Sequence, residues 1–299
     1  MKLVVEGLSH VTFETPDIDQ MVDYYVNVVG LTLAEREGDD AHLYTLGGRP
    51  ALSLRRGTTP RVSGISFVAD PEGDVDECVT MLKEKYALSP QMRSDVTPSA
   101  GEMMTFKDLN GIEVDIISDI KRAEPDRTPR DFLVSRLGHV AFMTPKIDES
   151  VSLYGDLGFR VADWRGDFFA WMRCGPEHHA VDFVRYDRVK LHHYAYEVKD
   201  TAELLRVCDS LGKKNVNIIY GPGRHVIADN VFTYHRAPDG QIVEIFTEMA
   251  KFDIEQFGEY SPRPWHRDNP YKPRVWPADT PGNLWGRGAP DDFAEGSIG

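Results

Sequence analysis

The strongest constraint on the fold is an internal repeat with a period of 129 residues. The segment HVTFETPDIDQMVDYY begins at His10, and HVAFMTPKIDESVSLY begins at His139. The same offset aligns RVSGISFV, from Arg61, with KLHHYAYE, from Lys190, and it aligns DLNGIEVD with PDGQIVE further along each copy. Because the register is kept from one end of the copy to the other, the sequence predicts the duplication of a whole domain.

Each copy runs twice through the same order of strand and helix patterns. In the first copy, apolar residues recur at helical spacing from Ile18, and Asp17 precedes them as a predicted N-cap. Further helices are predicted at 75–85 and 201–213, and short runs bounded by glycine, proline or arginine are typical of strands. The predicted fold class is therefore α+β, with two tandem domains that each contain a pair of βαβββ modules.

The chain of 299 residues is long enough for two domains and a connecting segment. We predict a non-catalytic first domain at 1–118, a charged, proline-containing linker at 119–132, and a second domain at 133–250. After residue 250 the periodic pattern stops. The segment 251–299 is rich in Pro, Trp and Arg, so we predict an irregular tail there.

Composition and charge exclude several classes of partner. The formal net charge is −14, which argues against binding to nucleic acid or to an anionic membrane surface, since both need a basic face. No apolar run reaches eighteen residues, so no transmembrane helix is predicted. The three cysteines are widely separated and odd in number, which is typical of reduced thiols. We therefore expect a cytoplasmic protein.

Comparison of the two copies identifies a candidate metal site in the second copy alone. The second copy offers two imidazoles and a carboxylate where the first offers one imidazole, no side chain and a shorter carboxylate. The matched pairs are His139 with His10, His193 with Gly64, and Glu244 with Asp115. Two histidines and one carboxylate form the facial triad of non-haem Fe(II) oxygenases, which leaves open positions for substrate and O₂. No local spacing motif supports the triad, so the comparison between copies carries the prediction.

Three further proton-active residues also belong to the second copy alone. His179, His225 and Tyr234 align with residues that cannot transfer protons in this way: Pro50, Val96 and Thr105. A neutral imidazole is suited to proton transfer near neutral pH. Neighbours on a strand point to opposite faces. We therefore expect His193 and His179 to face the site, and their neighbours His192 and His178 to face away.

The segments LGHVAF, HHAVDF, LHHYAYEV and GPGRHVIADNVFTYHRAPDGQIVEIF resemble those of the type I extradiol ring-cleaving (catechol 2,3-dioxygenase-like) dioxygenases of the vicinal oxygen chelate superfamily. The resemblance covers roughly residues 4–250. It implies that His139, His193 and Glu244 bind Fe(II), or Mn(II) as in some members, in the C-terminal domain.

The resemblance also implies roles for the other three residues. His179 would face O₂, the co-substrate, while His225 and Tyr234 would lie near the substrate. The expected reaction is extradiol (meta) cleavage of a small catechol-type aromatic diol in aromatic compound catabolism, giving a 2-hydroxymuconic-semialdehyde-type product. The family also suggests a homo-oligomer, a tetramer or larger. Some biphenyl-type relatives have a further histidine where this chain has Asp229, which puts a biphenyl-type substrate in doubt.

Three alternatives stay open at the level of sequence. A 4-hydroxyphenylpyruvate-type dioxygenase shares the two histidines and the glutamate, but it would not be expected to have both His179 and His225. A glyoxalase-like isomerase uses a metal in the same modules with a different ligand set. A metal-free small-molecule-binding module would need no triad at all.

Overall fold

The computed structural model describes residues 5–69, 73–97, 100–118, 120–252 and 272–298. Within these residues the chain passes four times through one βαβββ unit. This confirms the predicted α+β fold of two tandem domains, each with a pair of modules. Within the described residues, no helix has the length and apolar character needed to cross a membrane.

The described residues of the first domain form two helices and eight strands, and a π-helical turn at Tyr25–Val29 extends the first helix. Their bounds are β1 (Val5–Thr15), α1 (Ile18–Tyr24), β2 (Thr32–Glu37), β3 (Asp40–Tyr44), β4 (Pro50–Arg56), β5 (Arg61–Ala69), α2 (Val75–Tyr86), β6 (Gln91–Thr97), β7 (Ala100–Lys107) and β8 (Glu113–Ile117).

The second domain repeats this order and adds one short strand from the tail. The bounds are β9 (Val134–Thr144), α3 (Ile147–Asp156), β10 (Arg160–Arg165), β11 (Phe169–Arg173), β12 (Val181–Arg185), β13 (Lys190–Val198), α4 (Thr201–Lys213), β14 (Ile218–Arg224), β15 (Val231–Arg236), β16 (Ile242–Thr247) and β17 (Arg274–Trp276).

Each domain has one sheet in which its two modules meet side by side. The strand orders are β2-β3-β4-β1-β5-β8-β7-β6 and β14-β15-β16-β13-β9-β12-β11-β10-β17. In every module the first and last strands pair in parallel, and the modules join along the antiparallel pairs β1–β5 and β9–β13. Consequently β15, β16, β13, β9 and β12 are consecutive neighbours at the centre of the second sheet.

Local sequence signals explain where the helices begin. Asp17 caps α1 as predicted, because its carboxylate accepts a hydrogen bond of 2.9 Å from the backbone N–H of Gln20. Asp74 and Asp200 cap α2 and α4 in the same way. Only the apolar face of each helix packs on its sheet, which is the expected outcome for an amphipathic helix.

The two domains share a continuous hydrophobic core. The ring of Phe13 lies 4.7 Å from that of Tyr194, and the hydroxyl of Tyr25 lies 2.5 Å from the hydroxyl of Tyr194. The hydroxyl of Tyr24 lies 2.6 Å from Nε2 of His235. Tyr194 and His235 are sequence neighbours of His193 and Tyr234, so the first domain supports the reverse side of the strands that carry these residues.

The described part of the tail is more regular than the expected irregular segment. Strand β17 pairs in parallel with β10, and a 3₁₀ turn at Asp291–Glu295 packs Phe293 against the second domain. The edge of β10 presents unpaired backbone groups, which an extended segment can satisfy whatever its side-chain pattern. The tail residues Arg263, Trp265 and Arg267 lie outside the described residues.

Close packing beside His139 makes a testable prediction. Gly138 precedes His139 on β9, and a Cβ at this position would lie 2.4 Å from the ring of Phe246. Gly138→Ala should therefore lower the free energy of unfolding by about 1–3 kcal/mol, because overpacking forces the neighbouring atoms to shift. Thermal unfolding of the purified protein measures the effect.

The matched control is Gly212→Ala in α4, where an added Cβ meets no atom within 4 Å. This change should raise the stability by up to about 1 kcal/mol, since alanine is the better helix former. Equal melting temperatures for the two variants would contradict the packing described here.

Candidate active site

Three potential ligand atoms converge at the centre of the second sheet. His139, His193 and Glu244 lie on the adjacent strands β9, β13 and β16. Nε2 of His139 lies 3.1 Å from Nε2 of His193 and 3.0 Å from Oε2 of Glu244, and Nε2 of His193 lies 3.2 Å from the same Oε2. Ligand atoms about 2.1 Å from one metal ion, at right angles, are separated by about 3.0 Å. The triangle therefore fits a divalent cation.

The electrostatics of the three side chains also suit a cation. Burial lowers the pKa of His139 to about 4, so the imidazole is neutral and has a lone pair to offer. Burial alone would raise the pKa of Glu244, but the contacts with His139 and His193 lower it well below its usual value. Nδ2 of Asn230 donates a hydrogen bond of 2.9 Å to Oε1 of Glu244 and fixes the carboxylate, a contact that sequence comparison missed.

The corresponding place in the first domain is closed by hydroxyl groups. Oγ of Ser66 lies 3.3 Å from Nε2 of His10 and donates a hydrogen bond of 3.1 Å to Oδ2 of Asp115. Oγ1 of Thr105 donates a hydrogen bond of 2.7 Å to Oδ1 of the same carboxylate. Neighbouring side chains thus satisfy the groups that converge there. Among the residues described, two groups of side chains could hold a metal ion, and both lie in the second domain: His139, His193 and Glu244, and His139, His179 and Asp182.

His179 lies beside the triad, next to a carboxylate that sequence reasoning missed. Its ring centroid is 4.3 Å from that of His139, and its Nε2 is 3.6 Å from Oδ2 of Asp182. Asp182 is buried, and neither of its carboxylate oxygens has a hydrogen-bond partner among the described residues. Burial, followed by the charge of Glu244, raises its pKa well above the usual range. The sequence signal that could have identified Asp182 is a single acidic residue within the otherwise apolar segment AVDFV.

The structure also brings His225 and Tyr234 together on the other side of the triad. Nδ1 of His225 donates a hydrogen bond of 2.6 Å to the carbonyl oxygen of Gly282, in the tail. Nε2 of the neutral ring is therefore an acceptor, and the hydroxyl of Tyr234 lies 3.0 Å from it. Burial, reinforced by Glu244, raises the pKa of Tyr234, so its hydroxyl remains protonated.

Of the two neighbours expected to face away, one does and one does not. His178 is fully buried behind His179 and does not line the cavity. The expectation for His192 was wrong, because this residue lines the cavity and its ring centroid lies 5.2 Å from that of Phe293, which lines the same cavity. A break in the register between β13 and β9, from Leu191 to His193, disturbs the strict alternation of side chains.

A cavity of about 470 Å³ opens beside these residues, a volume suited to a small aromatic molecule. Aromatic rings form much of its wall, from Phe169 and Trp171 on β11, Tyr220 on β14 and Phe293 in the tail. Asp229, where some relatives have histidine, is not part of this wall. It lies 3.7 Å from the guanidinium of Arg224.

Comparison with known proteins gives a consistent assignment. Manganese-dependent 2,3-dihydroxybiphenyl 1,2-dioxygenase from Geobacillus genomosp. 3 is 25% identical over 272 residues, covering 83% of this chain and 86% of that protein. Metapyrocatechase 2 from Cupriavidus necator is 24% identical over 267 residues, covering 82% of each. The crystal structure of homoprotocatechuate 2,3-dioxygenase from Arthrobacter globiformis shares the fold with a TM-score of 0.83 at 22% identity, covering 99% of this chain and 92% of that one.

The family model matches each domain separately. Residues 7–116 and 136–245 both match the model described as Glyoxalase/Bleomycin resistance protein/Dioxygenase superfamily. The two matches preserve the offset of 129 residues found in the sequence, and together they span most of the chain. The resemblance to vicinal oxygen chelate proteins is thereby confirmed, and the chain belongs to the Glyoxalase/Bleomycin resistance protein/Dioxygenase superfamily.

Proposed function

We propose that the protein is an extradiol dioxygenase that cleaves the ring of a catechol-type aromatic diol with O₂. The observation that carries this proposal is the triangle of His139, His193 and Glu244 atoms, which opens onto a cavity with aromatic walls. Two of the similar proteins are, by name, a 2,3-dihydroxybiphenyl 1,2-dioxygenase and a homoprotocatechuate 2,3-dioxygenase. In the reaction, a ring bond next to the diol breaks and both atoms of O₂ enter the product, a 2-hydroxymuconic-semialdehyde-type compound.

The triad would hold Fe(II) or Mn(II), since both ions take imidazole and carboxylate ligands. Such an ion would lower the hydroxyl pKa of a chelating diol and bring the diol next to O₂. A facial set of three ligands leaves room for both molecules, whereas a closed site with four protein ligands would not.

The groups proposed to act on the diol and on O₂ lie at opposite ends of a row of strands. Tyr234 lies on β15, at one end of the row β15-β16-β13-β9-β12, and His179 precedes β12 at the other end. At the first end, Nε2 of His225 can accept a hydroxyl proton from the diol. The protonated hydroxyl of Tyr234 can donate a hydrogen bond to the deprotonated oxygen and orient it.

His179, at the other end, would serve the oxygen side of the reaction. Burial, with the neighbouring His139 as the next cause, lowers the pKa of His179 well below the usual range, so its ring is neutral. A neutral imidazole in this position can take up a proton and return it to an oxygen atom that develops negative charge.

Oxygen consumption tests the proposed reaction. Fe(II)-loaded or Mn(II)-loaded protein should consume one O₂ per molecule of catechol and give a yellow product. The panel should include catechol, alkylcatechols, dihydroxybiphenyl and carboxylated catechols, each followed with an oxygen electrode. Absence of oxygen uptake with the whole panel at full metal occupancy would contradict the proposal.

Metal content separates ligand residues from catalytic ones. His193→Ala and Glu244→Ala should each lose the metal. The loss of metal affinity should exceed the roughly 10–100-fold that is typical when a residue hydrogen-bonded to a metal ligand is changed. His179→Ala should keep the metal and lower kcat by about 10²–10⁴-fold, the usual contribution of acid–base catalysis. Elemental analysis after dialysis measures occupancy, and a His179→Ala protein without metal would contradict these roles.

The homo-oligomeric state and the cytoplasmic location expected from the sequence remain predictions. Light scattering coupled to size-exclusion chromatography measures the first, with a mass of four chains or more as the expected result.

A further inference from the structure

Four hydrogen-bonding contacts connect the tail to His179. Nδ1 of His179 lies 2.9 Å from Nδ1 of His178, and Nε2 of His178 lies 3.2 Å from Oδ2 of Asp163 on β10. Strand β17 completes the series, because Oδ1 of Asp163 accepts a hydrogen bond of 2.8 Å from the backbone N–H of Arg274. Oδ2 accepts one of 2.7 Å from the indole N–H of Trp276. Asp163 and His178 are fully buried.

The donors in this series decide which nitrogen of each ring carries a proton. Two N–H groups from β17 point at Asp163, so its carboxylate acts as an acceptor and requires a proton on Nε2 of His178. Burial lowers the pKa of His178, which keeps its ring neutral and leaves Nδ1 as an acceptor. Nδ1 of His179 must then carry the proton that His178 accepts, and Nε2 of His179 retains its lone pair.

That lone pair is directed to the cavity side of the ring, where Oδ2 of Asp182 lies 3.6 Å from Nε2. The same arrangement of carboxylate and imidazole fixes the tautomer and orientation of a catalytic histidine in hydrolytic triads, where the carboxylate itself is not protonated. Here a second imidazole stands between the carboxylate and the ring that faces the substrate.

We propose that Asp163 and His178 are positioning residues that hold His179 as its Nδ1–H tautomer, and that β17 locks Asp163 in the orientation this requires. The inference rests on the proposed function for its kinetic consequence, but the tautomers themselves do not depend on turnover. His178 therefore serves the site although it does not line the cavity. The tail contributes to proton transfer through two N–H groups at a distance from the substrate.

Nitrogen-15 NMR tests the tautomers directly. The full chain, loaded with Zn(II) as a diamagnetic ion that takes the same nitrogen and oxygen ligands, is labelled on histidine. His178→Gln and His179→Ala spectra assign the two rings. We expect a proton on Nε2 of His178 and on Nδ1 of His179. A proton on the other nitrogen of either ring would overturn the proposal, whether or not the protein cleaves catechols.

Asp163→Asn tests the kinetic consequence. An amide has one acceptor oxygen in place of two, so it cannot accept from His178, Trp276 and the backbone N–H of Arg274 as the carboxylate does. The tautomer of His179 is then held less firmly, so kcat should fall by about 10–100-fold with metal content and KM unchanged. In the His179→Ala background the same substitution should have no further effect, because Asp163 acts only through His179. Equal losses in both backgrounds would show a merely structural role.

Two further variants complete the design. Trp276→Phe removes one of the two N–H donors to Asp163 and should give a smaller loss of kcat in the same direction, which covers the case of an unstable Asp163→Asn protein. His42→Gln changes a partly buried histidine of the first domain, whose Nδ1 lies 2.9 Å from Oγ of Ser53. It should leave kcat unchanged.

Discussion

The structure depends on three buried acceptor atoms held about 3 Å apart, two imidazole nitrogens and one carboxylate oxygen. Acceptors this close repel one another unless a cation or a donor lies among them. The two domains resolve this problem differently on the same scaffold. In the first domain the hydroxyls of Ser66 and Thr105 supply the donors. In the second domain, Ala195 and Tyr234 stand at the positions of Ser66 and Thr105, and the three acceptor atoms are left for the proposed metal ion.

The first domain also supports the site of the second domain mechanically. Tyrosines from α1 and the adjoining turn contact Tyr194 and His235, on the reverse side of β13 and β15. His193 and Tyr234 directly precede Tyr194 and His235 on the same strands. Because successive side chains of a strand point in opposite directions, packing on one face fixes the positions of groups on the other. A domain without the triad thus contributes to the precision of the site.

The repeat in the sequence was enough to predict the four modules and the register that brings His139, His193 and Glu244 together. It could not predict features in which the two copies differ locally. No residue type near His192 indicates the break in register between β13 and β9. The strict alternation of side chains along a strand therefore predicted the wrong face for His192. Asp182 was missed because a single acid in a strand carries no spacing signal. The order in 274–295 arises from pairing with β10 and packing on the second domain, which a pattern search within the tail does not detect.

Strand β17 has a consequence for the order in which the protein is made. Synthesis proceeds from the N-terminus, and domains generally fold as units while the chain emerges. Glu244, the last residue of the triad along the chain, leaves the ribosome before Arg274 and Phe293, so a nascent chain can assemble the triad before its cavity has a finished wall. The proposed metal ion could therefore bind before the tail completes the cavity in which the substrate would lie.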